Sequence, residues 1–176
     1  MKFRWFVMVA CMASLYVGQV CAADAPAAPA SEKKTAIAEP NIEDAVYVKK
    51  RKLPINVLYK SVLLAFENNG YFVTSEPNIG KSMQSIAQRL GKDYNRNKLE
   101  EIKSMVLSNP WFANKMANAD PYLLAMFPIS VTLVQKGEFT TILFVRPSKV
   151  ASVSKRGLAV ADEMEKDVIR IFENIL

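Results

Sequence analysis

The sequence predicts an α+β fold: an antiparallel sheet with helices packed on one face, in the order strand, helix, strands, helix. Three observations carry that expectation. Residues 54–70 and 158–175 repeat apolar side chains at three- and four-residue steps, the spacing of one helix face. Runs rich in β-formers lie before, between and after the first helix and its neighbours, ending in a hairpin over 131–145. Proline and glycine stand at the joints between these segments.

Taken in order, the chain opens on Lys2 and Arg4, an apolar run from Trp5, and small residues ending at Ala23. That layout reads as a secretory leader over residues 1–23, cleaved after Ala22 or Ala23. The rival reading is an uncleaved anchor, because the apolar run is about long enough to span a bilayer. A lipoprotein signal around Met8-Val9-Ala10-Cys11 is a third, with a short apolar run before it. Residues 24–41 are rich in Ala, Pro and charge without an apolar period, and read as a flexible tether. The folded domain is expected over 42–176, and its location is periplasmic or secreted.

Within the domain, Ala45-Val46-Tyr47-Val48 reads as a strand running into Lys49-Lys50-Arg51-Lys52. Such a basic run either meets an anionic surface or guards a strand against edge-to-edge pairing. Pro54 suits the first turn of a helix, Ile55, Leu58, Tyr59, Val62, Ala65 and Phe66 form its stripe, and Asn68-Asn69-Gly70 ends it. Tyr71 to Thr74 is the next strand. Gly80-Lys81-Ser82 then imitates a phosphate-binding loop, but Ser75 stands where that loop needs its first glycine. A turn followed by a helix from Met83 to Leu90, stopped by Gly91, is expected instead.

The polar stretch 91–103 reads as a solvated face, and Met105-Val106-Leu107 as a buried strand. Pro110, Pro121 and Pro128 then pin a two-corner connector with a helix around Trp111 to Ala117. Asp120 is placed to cap the second corner. A hairpin follows, turning at Gln135-Lys136-Gly137-Glu138 and ending at Pro147. On the last helix, Leu158, Ala161, Met164, Val168, Ile171, Phe172 and Ile175 share one face, while Asp162, Glu163, Glu165, Lys166 and Arg170 lie mainly elsewhere. On the hairpin, Phe139, Leu143 and Val145 alternate with Ile142 and Phe144, so both sheet faces carry apolar side chains. That points to a dimer or partner surface.

Composition narrows the chemistry. The chain has no histidine, and its two cysteines, Cys11 and Cys21, both fall in the leader. A mature chain therefore lacks Cys/His zinc sites, haem attachment through Cys-x-x-Cys-His, thiol nucleophiles and histidine-based triads. No cofactor, metal or nucleic acid is expected. Without Lys2 and Arg4, 21 basic and 17 acidic residues remain. That excess of about +4 gives a weak attraction to anionic membrane surfaces.

The series Gly70-Tyr71-Phe72-Val73, Ser108-Asn109-Pro110, Ala119-Asp120-Pro121, Phe127-Pro128-Ile129 and Arg146-Pro147 resembles domain-of-unknown-function family 302 over about residues 45–176. The resemblance implies a topology like that of the TATA-binding protein, dimers formed through the sheet, and no established enzymatic activity. Two positions where the family often has cysteine hold Ser108 and Ile129 here. A thiol role therefore does not carry over.

Three functions follow as expectations. The first is a non-enzymatic binding or accessory module that dimerises or meets a protein partner. Its ligand-binding candidates are the corner residues Asn109, Trp111 and Asp120, with Arg146. The second is a carrier of a small apolar or amphipathic ligand between helices and sheet, near Trp111, using Phe66, Phe72, Met116, Met126 and Phe144. The third is a hydrolase built on Asp93, Glu100, Glu101 or Asp120.

Overall fold

The structure is a computed structural model and describes residues 41–175. The leader over 1–23 and the tether over 24–41 lie outside the described residues, Asn41 apart. A short helix α1 (Ile42–Ala45) leads into strand β1 (Val46–Arg51), helix α2 (Ile55–Asn68) and strand β2 (Phe72–Ser75). Two short helices, α3 (Ile79–Ser85) and α4 (Ala87–Leu90), precede strand β3 (Glu101–Ser108). Helix α5 (Pro110–Ala119) and a 3-10 turn (Pro121–Met126) form the connector. Strands β4 (Ile129–Lys136) and β5 (Phe139–Val145), helix α6 (Pro147–Val150), a 3-10 turn (Ala151–Val153) and helix α7 (Gly157–Asn174) complete the domain.

The five strands form one antiparallel sheet in the order β1-β5-β4-β3-β2. The basic run Lys49-Lys50-Arg51 therefore belongs to an edge strand, where lysine discourages pairing with other chains. Lys49 pairs with Glu173 at 2.6 Å, Lys52 with Glu138 at 3.0 Å, and Lys50 sits 4.1 Å from the Phe139 ring centroid. The hairpin turn is tighter than the sequence suggests. Lys136 faces Phe139 across two residues, Gly137 has φ +57°, and Gln135 is a buried strand residue.

One sheet face packs under α2, α5 and α7. Alternation puts Tyr47, Met105, Leu107, Val131, Leu133, Ile142 and Phe144 on it, all buried. They meet Leu58, Val62 and Phe66 of α2, Met116 of α5, and Met164, Val168 and Phe172 of α7. Aromatic rings tie the layers. Phe172 stacks on Tyr47 at 5.2 Å and meets Phe66 and Phe144 edge-on at 5.4 and 6.1 Å.

The first turn of α2 shows how local need becomes tertiary structure. Pro54 cannot cap it with a side chain, so the Ile55 N–H donates to Gln135 Oε1 at 2.7 Å. Thr140 Oγ1 lies within 2.8 Å of the same oxygen and 2.7 Å of the Leu53 carbonyl. Gly70, with φ +78°, ends α2 in the left-handed turn expected of it.

Three departures from expectation have local causes. The helix expected from Met83 begins at Ile79, because Asn78 Oδ1 accepts from the Lys81 N–H and caps it there. Strand β3 reaches back into the charged stretch to Glu101, since Lys103 can lie along α2 and reach Asn56. Glu165 is buried on α7 instead of facing solvent, whereas Leu158 is exposed.

Three phenols are held neutral. Burial pushes the Tyr47, Tyr59 and Tyr71 hydroxyls well above their ordinary range, reinforced by Glu173, Glu76 and Asp167 respectively. Each folded value lies above the unfolded one. Their contribution is complete below the unfolded value of about 10 and fades as pH rises through the folded values. Urea unfolding followed from pH 8 upward is expected to show a level stability that falls above about pH 10, with phenolate absorbance rising as the fold is lost.

Candidate functional site

The connector residues act first as caps. Strand β3 stops at Ser108, and the buried Asn109 accepts from the Phe112 N–H through Oδ1 at 3.2 Å, while Pro110 opens α5. At the far end of that helix Asp120 Oδ1 accepts from the Tyr122 N–H at 3.2 Å, which starts the 3-10 turn. The two caps are separated by about 15 Å of helix. Trp111 stands 67% exposed on the first turn, with Lys115 Nζ 5.7 Å from its ring centroid. Lys115 itself reaches Glu163 of α7 at 2.5 Å.

Asp120 has a second task. Its Oδ2 accepts from Ser154 Oγ at 2.6 Å, and Ser154 Oγ accepts from the Gly157 N–H at 3.2 Å. The connector is thus tied to the start of α7. Gly157 is required there by space: a Cβ would fall 1.8 Å from Leu123 Cδ1 and 2.9 Å from Ser154 Oγ.

Arg146 ends β5 and is committed inward. Its Nη1 donates to Glu165 Oε1 at 2.9 Å, while the Ser148 N–H and hydroxyl donate to Glu165 Oε2 at 3.1 and 2.5 Å. The Arg146 N–H also donates to the Ala45 carbonyl at 2.8 Å. Glu165 is 6% exposed, so this pair and Ser148 satisfy a carboxylate deep beside the sheet end. Arg146 Nε is buried without a hydrogen-bond partner among the described residues.

The four candidates therefore do not meet in one place. Asn109 and Asp120 cap opposite ends of α5, Trp111 faces outward, and Arg146 sits in the Glu165 pair. Asp120 lines a cleft of about 380 Å³ with Pro121, Val153, Lys155 and Arg156. Of the carboxylates proposed for hydrolysis, Glu100 and Glu101 stand together and line two shared clefts, whereas Asp93 and Asp120 line neither. Asp93 pairs with Arg96 and Glu101 with Lys103, while Glu100 accepts from the Gly137 N–H at 2.9 Å. Asp120 lies in the separate corner just described. The Gly80-Lys81-Ser82 segment lies within α3, with the Gly80 backbone against Ile102, so it wraps no phosphate-sized loop.

Sequence reading missed one feature and foresaw a second in part, from Phe139, Leu143 and Val145 of the hairpin. An apolar cavity of about 330 Å³ lies at the sheet end, lined by Met126, Pro128, Ile129, Phe144, Val145 and Val150 among others. Of the six side chains suggested for a carrier, only Met126 and Phe144 reach it. Phe66 and Met116 are core, whereas Phe72 and Trp111 are exposed. The second feature is the far sheet face. Alternation puts Ile102 and Ser104 on it, and both are buried where α3 packs on β3. The β1-β5 half is uncovered: Val48, Phe139 and Val145 are 45%, 38% and 55% exposed, with Leu143 and Val134 half-buried beside them.

Two substitutions test the ties. Gly157→Ala is expected to displace Leu123 and cost about 1–3 kcal/mol in urea unfolding. Arg146→Met strands the Glu165 carboxylate with Ser148 alone and should cost about 2–3 kcal/mol, below the value for a fully enclosed pair because Arg146 is partly exposed. Adding Glu165→Leu should recover part of that loss, which a double-mutant cycle measures.

The sequence profile of a family described as "Domain of unknown function DUF302" matches residues 47–175. Among solved structures, an uncharacterised conserved DUF302 protein from Bacillus stearothermophilus superposes with a TM-score of 0.65 at 14% identity. The match covers 74% of this chain and 98% of that one. At that identity the likeness speaks to fold alone. No curated protein matches the chain. The antiparallel sheet, its helical cover and the match across nearly the whole described region together show that this chain belongs to the DUF302 family.

Proposed function

We propose that the protein is an exported, non-enzymatic accessory module that works through self-association or a protein partner at the uncovered half of its sheet. One observation carries this reading: Val48, Phe139, Leu143 and Val145 form an apolar patch on the face turned away from the helices. Antiparallel sheets solvated on one face ordinarily place polar side chains there. A second copy seated on this half would cover the patch while the lysine-bearing edge of β1 stays unpaired with other strands. The caps and ion pairs at Asn109, Asp120 and Arg146 then serve the scaffold that holds the sheet flat to its partner.

A second reading rests on a separate observation. The apolar cavity beside Met126 and Phe144 has a size suited to a small apolar ligand, which would make the protein a carrier. Val145 borders both the cavity and the patch.

The purified full-length chain is expected to sediment as a dimer, and Val48→Lys with Leu143→Lys to sediment as a monomer with an unchanged far-UV circular dichroism spectrum. A wild-type chain that stays monomeric at every concentration, with no partner lost on the double substitution, would sink the accessory reading. Native mass spectrometry separates the two readings: a reproducible added mass that disappears in Phe144→Trp points to the carrier.

A further inference from the structure

We infer that the corner built from Tyr122, Val150 and Val153 with Lys149, Lys155 and Arg156 docks onto an anionic lipid surface. This surface adjoins the apolar cavity through Val150 but does not depend on the role of the uncovered sheet half.

Exposure is the first ground. Tyr122 and Val153 are 90% and 91% exposed on two short turns, and Val150, at the end of α6, is 50% exposed. The turns are neighbours, because Pro121 and Val153 line one cleft and Asp120 accepts from Ser154. Small apolar tips with a tyrosine at their border suit the boundary between headgroups and acyl chains, where aromatic rings settle and lysines reach back to phosphate.

Charge is the second ground. From Phe139 to Ala161 the sequence has four basic residues and no acidic one. Arg146 is taken by Glu165. Among the described residues, the side chains of Lys149, Lys155 and Arg156 make no ion pair or hydrogen bond. The basic run on β1 differs, since Lys49 and Lys52 are paired there and Lys50 lies 4.1 Å from the Phe139 ring centroid. Two carboxylates near the corner are already engaged: Asp120 accepts from Ser154 and Tyr122, and Glu165 from Ser148 and Arg146. An acidic protein could meet the cations too. The isolated tips favour lipid, because a protein partner would need matching pockets for two nearly free side chains, whereas headgroups simply part around them.

The test is flotation of the full-length chain with phosphatidylcholine vesicles, with and without phosphatidylglycerol. The N-terminal segment is common to every variant, so differences report on the corner. Wild type is expected to partition more strongly onto the anionic vesicles, and less so as salt rises. Lys149→Gln, Lys155→Gln and Arg156→Gln together should weaken that partition on the order of 100-fold, at roughly fivefold per cation. Tyr122→Ser with Val153→Ser should weaken it about tenfold at unchanged salt dependence. All five substituted side chains are exposed, so thermal unfolding should stay near wild type and show that the variants fold. Equal partition onto neutral vesicles, or a triple variant that binds as wild type does, overturns the proposal. Loss of binding to a defined acidic protein, with vesicle binding unaffected, overturns it in favour of a protein partner.

Discussion

Phe172 is the point through which the architecture is coupled. Its ring touches Tyr47 on the edge strand, Phe144 on the neighbouring strand and Phe66 on α2, while its own backbone belongs to α7. Four elements far apart in sequence thus share one fully buried side chain. Burial of a phenylalanine contributes about 1.5–3 kcal/mol of transfer free energy, and the aromatic contacts add to it. The position of α7 on the sheet follows from this contact. So does the closeness of Glu173 to Lys49 and Tyr47, which donate hydrogen bonds to its carboxylate at 2.6 and 2.7 Å.

Around that apolar centre, polar side chains close the seams. Gln135 caps a helix whose own first residues cannot, Glu165 collects donors from Arg146 and Ser148, and Asp120 links the connector to α7 through Ser154. These residue types also build binding sites elsewhere, which is why several of them look functional in a linear reading. Their hydrogen bonds are directed at neighbouring backbone and side chains, so their first role is to let buried or half-buried chain ends satisfy their polar groups.

The molecule keeps its outward chemistry on other surfaces. The β1-β5 half of the sheet is apolar and uncovered, and the corner at Val153 combines apolar tips with uncommitted cations. Helix α3 screens the remaining half of the sheet over Ile102 and Ser104, which confines the open patch to one side. Family membership describes the scaffold.

Much of the scaffold is legible in the sequence because it depends on local rules. The stripes of α2 and α7, the glycine stop at Gly70, the cap at Asp120, the helix start at Pro110, and the hairpin follow from periodicity and turn chemistry that act within a few residues. The burial of Glu165 was less visible, although its spacing from Ala161 and Val168 places it on the buried stripe. Its charge argued for solvent until Arg146 and Ser148, contributed by another element, satisfied it. Gln135 lay in what looked like a turn, and only the meeting of β4 with α2 gave its amide a partner. The candidate residues Asn109, Trp111, Asp120 and Arg146 could be named from sequence, but their separation could not, because a ten-residue helix and a strand end intervene. Composition and period determined which segments are helix or strand and which groups are available for chemistry. Tertiary structure decided which of those groups are consumed by one another and which remain on the surface, because hydrogen bonding and burial are settled only when distant segments meet.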